Sequence, residues 1–192
     1  MPVHAIRESV RVFIAVDVED RSSFELLLNN PFFSSRCVRR VRPANLHYTL
    51  AFIGEIEEFA IQSISDMLDS ICRSHGSFDV TYSGLGIFGT TGRPRVLWSG
   101  VRDMGENAAI GSEIASSLAR MKVGFDSREL KPHVTLARFS CVPDRESLQL
   151  LLSEYGGKEF AGELVRKISV KRSVPGKYGA EYETLHESFL GL

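Results

Sequence analysis

The 192-residue sequence predicts an α+β fold in which two similar lobes pack as one unit. Strand-like and helix-like segments are mixed along the chain without a strict β-α-β alternation. Two segments with amphipathic helical spacing, residues 57–74 and 106–122, indicate a repeat. The pattern His-x-Thr-Leu also occurs twice, beginning at His47 and at His133. Because two separate features are duplicated, we expect the lobes to be related by a pseudo-twofold axis.

The individual elements follow from residue spacing and from turn-forming residues. Shorter helices are predicted at residues 20–29 and 143–152. Strands are predicted at residues 10–18, 37–41, 46–53, 78–82, 96–98, 134–139, 160–171 and 180–189. The glycine-rich stretch 84–92 is predicted to be a loop and Pro175-Gly176 a turn, with a lobe boundary near Asp103.

The formal net charge of −1 conceals an uneven distribution of arginine. One arginine cluster precedes the first motif and a smaller one follows it: Arg36, Arg39, Arg40 and Arg42, then Arg93 and Arg95. Such clusters suit an anionic ligand such as a phosphate or an RNA strand, although an ordinary solvated face gives the same pattern.

The three cysteines, Cys37, Cys72 and Cys141, are odd in number and far apart, with no C-x-x-C spacing. This pattern argues against a disulfide framework and against a structural zinc site. Residues 1–9 lack the apolar core of a signal peptide, and no apolar run approaches the ~20 residues of a membrane span. A monomer in a reducing cytoplasm, with no membrane partner, is the expectation.

Alternation along a strand assigns the motif residues to two faces. His47 and Thr49 point to one face, while Tyr48 and Leu50 point to the other, where we expect the core. The second motif, residues 133–136, alternates in the same way. If the lobes meet about a twofold axis, both pairs of polar side chains face one cleft.

Two histidines across a cleft can act as a general acid and a general base, because imidazole titrates near neutrality. Hydrolysis or transesterification of a phosphodiester requires both functions. The threonine hydroxyls can donate to the non-bridging oxygens, where charge develops in the transition state. This division of labour needs no metal and no cofactor.

Other catalytic schemes have weaker support in the sequence. A zinc site would need a third ligand such as Asp17, and no spacing supports it. No G-x-S-x-G pattern and no cysteine in an activating context occurs. His4, His75 and His186 lack a threonine two positions later, so we expect structural roles for them.

These motifs and their surroundings resemble the two-histidine (2H) phosphoesterase superfamily, and more narrowly the RNA 2′,3′-cyclic phosphodiesterases, also called 2′-5′ RNA ligases. The likeness covers residues 10–192 as one domain and leaves residues 1–9 as an N-terminal extension. It rests on the ordered segments VFIA (12–15), RPANLHYTLAFIG (42–54), GLGIF (84–88), RPRVLW (93–98) and KPHVTLAR (131–138).

The resemblance implies a bilobal fold with a V-shaped cleft between two antiparallel sheets and helices outside. It implies hydrolysis of RNA 2′,3′-cyclic phosphate ends to 2′-phosphates, with reversible 2′-5′ ligation of tRNA fragments. His47 would be the proton donor to the leaving 3′ oxygen and His133 the proton acceptor. Thr49, Thr135 and Arg138 would bind the phosphate.

Strict alternation places Arg138 on the face opposite His133. Either a bulge near Ala137 turns Arg138 inward, or its side chain reaches round the sheet edge. Phe13 either borders the cleft or packs in the core. Two functional alternatives stay open: the same chemistry on a small cyclic nucleotide or an ADP-ribose cyclic phosphate, and a non-catalytic RNA-end binding module.

Overall fold

The computed structural model describes residues 9–90, 92–128, 131–176 and 179–191. The strands are β1 (Ser9–Asp17), β2 (Val38–Arg40), β3 (His47–Glu57), β4 (Phe78–Thr90), β5 (Arg93–Arg102), β6 (His133–Phe139), β7 (Glu159–Val165), β8 (Lys167–Gly176) and β9 (Gly179–Phe189). The helices are α1 (Ser22–Leu28), α2 (Ala60–Ser74), α3 (Glu106–Arg120) and α4 (Arg145–Tyr155). The expected N-terminal extension lies outside the described residues except for Ser9, which begins β1.

All described strands form one antiparallel sheet in the order β7-β4-β5-β6-β3-β1-β8-β9, with β2 pairing with β6. The sheet has two four-stranded halves, and in each half the motif strand is innermost. β3 and β6 join the halves through a single residue pair, Tyr48 and Val134. The predicted bilobal α+β fold is thus confirmed, with the two predicted sheets connected at one point.

The two halves do not follow each other along the chain. β4 to β7 form one half from a continuous segment, whereas the other half combines β1 and β3 with β8 and β9. The predicted lobe boundary near Asp103 is therefore wrong, because Asp103 lies between β5 and α3 within a single half.

The core lies between the helices and the face of the sheet that carries Tyr48 and Val134. α2 packs against β8 and β9, and α3 packs against α2 and β3. Ile64 and Leu68 of α2 and Ile114 of α3 are fully buried, as the helical spacing predicts. Each such side chain contributes about 1.5–3 kcal/mol through burial. In the described part of the chain, none of the four helices has both the length and the apolar character needed to cross a membrane.

Two predictions of secondary structure are wrong, one in a glycine-rich stretch and one at a single residue between two strands. The stretch 84–92, predicted as a loop, belongs mainly to β4. Gly84 and Gly89 have positive φ angles and lie at the two register shifts of the β4–β5 pair, so they allow bulges instead of ending the strand. The predicted strand 160–171 is two strands, and the chain crosses between β7 and β8 at Arg166 from one end of the sheet towards the other half.

The cysteine prediction is also wrong, because Cys37 and Cys141 form a disulfide. They are separated by 104 positions, so no local spacing predicts the bond between them. The β2–β6 pairing, with Val38 opposite Phe139, brings the two cysteines together. Cys72 is a free, buried cysteine, and burial raises the pKa of its thiol to about 12.

Candidate active site

The junction of the two halves brings both His-x-Thr motifs together. His47 and His133 are the first residues of β3 and β6, and Tyr48 is paired with Val134. His47 and Thr49 flank Tyr48 along β3, and His133 and Thr135 flank Val134 along β6. Tyr48 and Val134 are fully buried on the core face. The two histidines and two threonines therefore share the opposite face, as alternation predicts.

Both imidazoles are held by the same local hydrogen bond. Nδ1 of His47 donates to the carbonyl oxygen of Asn45 at 2.7 Å, and Nδ1 of His133 donates to that of Lys131 at 2.7 Å. A carbonyl can only accept, so Nδ1 carries a proton in each ring. In the neutral form, Nε2 is then the unprotonated nitrogen of both rings. Each histidine thus keeps Nε2 available for proton transfer.

His47 lies in a largely buried aromatic setting. Its ring centroid is 5.2 Å from that of Phe13 and 4.8 Å from that of Tyr182. Phe13 is itself buried, so it both borders the site and packs in the core. Burial lowers the pKa of His47, and the hydrogen bond to Asn45 and the carboxylate of Asp17 oppose that effect.

An ion pair that the sequence did not announce lies beside His47. Asp17 of β1 pairs with His47 across the β1–β3 ladder. Lys171 of β8, whose side chain is 7% exposed, donates to both Asp17 carboxylate oxygens at 2.7 and 2.8 Å. Nζ of Lys171 also donates to Oγ1 of Thr184 at 3.0 Å. Asp17 thus places a carboxylate beside His47, and the ammonium group of Lys171 lies next to that carboxylate.

His133 has a different aromatic setting, built by the β4–β5 hairpin. The Phe88 ring meets it edge-on at 4.8 Å, and the Trp98 ring lies at 6.2 Å. Trp98 lies across Gly86 of β4, where a Cβ atom would overlap the indole. In the described part of the chain, no carboxylate pairs with His133. The two histidines are therefore held alike but have different electrostatic surroundings.

The threonine hydroxyls are free to bind a ligand. Thr49 is 8% exposed and Thr135 is half-buried. Within the described ranges, neither hydroxyl has a hydrogen-bond partner. Each can donate to an oxygen placed between the two motifs.

A β-bulge in β6 determines which face of the sheet carries the side chain of Arg138. The pairing of β6 with β5 shifts by one residue between Thr135 and Ala137. Leu136 and Ala137 are both fully buried on the core face, which leaves Arg138 on the face of Thr135 and His133. Arg138 is exposed. Of the two arrangements considered from the sequence, the structure shows the bulge.

The remaining histidines that the structure describes contact carboxylates outside the two motifs. Nε2 of His75 contacts Glu113 at 3.1 Å, and Nε2 of His186 contacts Asp69 at 2.8 Å. His4 lies outside the described residues. Among described residues, no group of three or more His, Cys, Asp or Glu side chains is arranged to hold a metal ion.

Comparison with known proteins identifies the family of this chain. Residues 31–98 match the family described as LigT like Phosphoesterase. An RNA 2′,3′-cyclic phosphodiesterase of Aquifex aeolicus is 36% identical over 156 residues, which cover 79% of this chain and 81% of that protein. The chain belongs to the RNA 2′,3′-cyclic phosphodiesterases of the LigT-like, two-histidine phosphoesterases. A second family member, from Archaeoglobus fulgidus, is 30% identical over 181 residues, covering 92% of this chain and 98% of that one.

Solved structures of LigT-like proteins share the fold of this family member. E. coli LigT in its apo form superimposes with a TM-score of 0.76 at 22% identity, covering 96% of this chain and 99% of that one. A protein of Thermus thermophilus superimposes with a TM-score of 0.74 at 24% identity, covering 94% and 97%. The overall fold is thus shared with these solved structures.

Proposed function

We propose that this phosphoesterase hydrolyses RNA ends that carry a 2′,3′-cyclic phosphate and leaves a 2′-phosphate. The observation that carries the proposal is the pair of identically held imidazoles on one face of the sheet, each two positions before the threonine of its own motif. The family relatives named RNA 2′,3′-cyclic phosphodiesterase support the choice of substrate.

In the proposed reaction, Nε2 of His133 accepts a proton from water as the water oxygen attacks phosphorus. The bond from phosphorus to the 3′ oxygen breaks, and His47 donates the proton from its Nε2 to that oxygen. Thr49, Thr135 and Arg138 bind the non-bridging oxygens and stabilise their charge in the transition state. The histidines exchange protonation states, and solvent restores them. We infer no role for a metal or cofactor.

Asp17 supports His47 as the proton donor. Its carboxylate is paired with His47 across the ladder and favours the imidazolium form, an effect that the nearby ammonium of Lys171 opposes in part. In the described part of the chain, His133 has no paired carboxylate. Burial lowers the pKa of His47, which makes the imidazolium a stronger acid. An anionic phosphate in the cleft would favour its charged form again.

The same groups would also serve a ligation reaction. A 5′-hydroxyl of a second RNA, for example a tRNA fragment, would replace water as the nucleophile. His133 would accept the hydroxyl proton, the bond to the 3′ oxygen would break, and a 2′-5′ linkage would result. Supplying an oligonucleotide with a free 5′-hydroxyl and looking for the joined product tests this extension.

The main test replaces each histidine in turn. His47→Ala and His133→Ala should each lower turnover of a 2′,3′-cyclic phosphate end at least about 100-fold, since each removes one proton transfer. His75→Ala is a matched control, because that histidine pairs with Glu113 away from the junction. Full activity in either motif variant, with the fold intact, would contradict the proposal.

Two further measurements separate acid-base catalysis from metal catalysis. Activity should persist in EDTA, and kcat/KM should have a bell-shaped pH dependence. Loss of activity in EDTA that zinc restores would favour a metal mechanism instead.

A further inference from the structure

A second arginine shares the face of the active site beside Arg138. In the short strand β2, Arg39 pairs directly with Arg138 of β6. Paired residues in a ladder point to the same face, so the bulge that turns Arg138 to the His133 face assigns Arg39 to that face as well. Both arginines are exposed.

The neighbour of Arg39 along β2 points the other way. Arg40 pairs with Ala137, which is fully buried on the core face. Nη1 of Arg40 donates to the carbonyl oxygen of Leu28 at 3.5 Å. β2 therefore presents one arginine to each face of the sheet.

Arg39 and Arg138 bring two positive charges next to each other. Like charges directly opposite each other on neighbouring strands are destabilising. Over the described ranges, neither guanidinium forms an ion pair or a side-chain hydrogen bond. An anion bound between the two would relieve this repulsion and receive charge-assisted hydrogen bonds.

The backbone that carries Arg39 is fixed at several points. The disulfide between Cys37 and Cys141 ties one end of β2 to the chain that follows β6. The amide of Val41 donates to the carbonyl oxygen of Leu136 at 2.8 Å at the other end. The backbone of Arg39 is therefore held in place by covalent and hydrogen-bond contacts on both sides.

The arginine pair lies close to Thr135 along the sheet. Arg138 is three residues after Thr135, but the bulge reduces the advance along the strand to two positions. Two positions in a strand correspond to about 7 Å. We propose that Arg39, beside Arg138, binds the internucleotide phosphate next to the cyclic end. The substrate class is then an oligonucleotide rather than a small cyclic nucleotide. This inference rests on the proposed function above.

The test compares two substrates, 2′,3′-cyclic AMP and a short oligoadenylate that ends in a 2′,3′-cyclic phosphate. Arg39→Ala should lower kcat/KM about tenfold on the oligonucleotide, the loss expected for one charge-assisted phosphate contact, and less than twofold on the mononucleotide. Arg40→Ala, which removes the same charge from the opposite face, should leave both values unchanged. Arg39→Lys should recover part of the loss, and thermal melting of each variant checks the fold.

A binding measurement with an oligoadenylate that ends in a 3′-phosphate is independent of turnover. The slope of log Kd against log salt should be smaller by about 0.7 for Arg39→Ala than for the unaltered protein, and unchanged for Arg40→Ala. Equal losses on both substrates, or equal effects of the two alanine variants, would overturn the subsite. Absence of turnover of both substrates by the unaltered protein would refute the proposed function instead, and the salt slopes would still decide the subsite.

Discussion

Reduction of the disulfide between Cys37 and Cys141 should destabilise the protein considerably. The bond joins positions separated by 104 residues, and so it restricts a large loop of the unfolded chain. In the chain-entropy treatment, a loop of this length corresponds to about 5 kcal/mol of the free energy of unfolding at 25 °C. For a chain of this size, the loss corresponds to a fall in Tm of roughly 10–20 °C.

Urea unfolding of the oxidised and reduced protein measures this change directly. The m-value should rise on reduction, because the unfolded chain without the bond exposes more surface. The double variant Cys37→Ser, Cys141→Ser should resemble the reduced protein and should not respond to reductant. In the folded state, burial raises the pKa of the Cys72 thiol to about 12, but urea exposes this thiol. The measurements therefore use a Cys72→Ala background, which prevents exchange between this thiol and the Cys37–Cys141 bond in the unfolded chain.

Two results would refute this reasoning. One is equal stability of the oxidised and reduced protein. The other is alkylation of Cys37 and Cys141 in the folded protein without reductant, detected by mass spectrometry. A stability change with an unaltered m-value would place the effect in the folded state rather than in the unfolded chain.

Three further substitutions test the surroundings of the site. Asp17→Asn should lower the pKa of His47, because the carboxylate that favours the imidazolium is lost; NMR titration of the ring would show the shift, and an unchanged pKa would contradict it. Gly86→Ala should displace the single tryptophan, Trp98, cost about 1–3 kcal/mol and change its fluorescence, and an unchanged spectrum would contradict the close contact. Tyr48→Phe removes a buried hydroxyl that lies beside Asn107 and has no well-aligned hydrogen-bond partner among the described residues, so the free energy of unfolding should change by less than about 1 kcal/mol with turnover retained; a large loss of turnover would contradict its core position.

Local periodicity was sufficient to predict the part of the site that lies within one strand. Alternation assigned His47 and Thr49 to one face and Tyr48 to the core, and Tyr48 is fully buried. The 3.6-residue period likewise predicted the buried face of α2, including Ile64. These features depend only on the spacing of nearby residues, so the sequence alone is sufficient to predict them.

Features that depend on pairing between distant strands could not be obtained in the same way. The direction of Arg138 depends on a bulge opposite β5, and alternation alone assigns it to the wrong face. The Cys37–Cys141 bond and the position of Lys171 beside Asp17 depend on which strands are neighbours. Tyr182 approaches His47 from the strand at the far edge of the sheet, and no local pattern marks it.

The interleaved order of the strands has a consequence for folding during synthesis. The half that contains His133 is encoded by the continuous segment from β4 to β7, and it can form as soon as that segment has emerged. The half that contains His47 must wait for β8, which pairs with β1 and supplies Lys171. The histidine that is synthesised first is therefore the last to reach its finished surroundings, and a chain truncated before Lys167 would have both motifs but only one completed half.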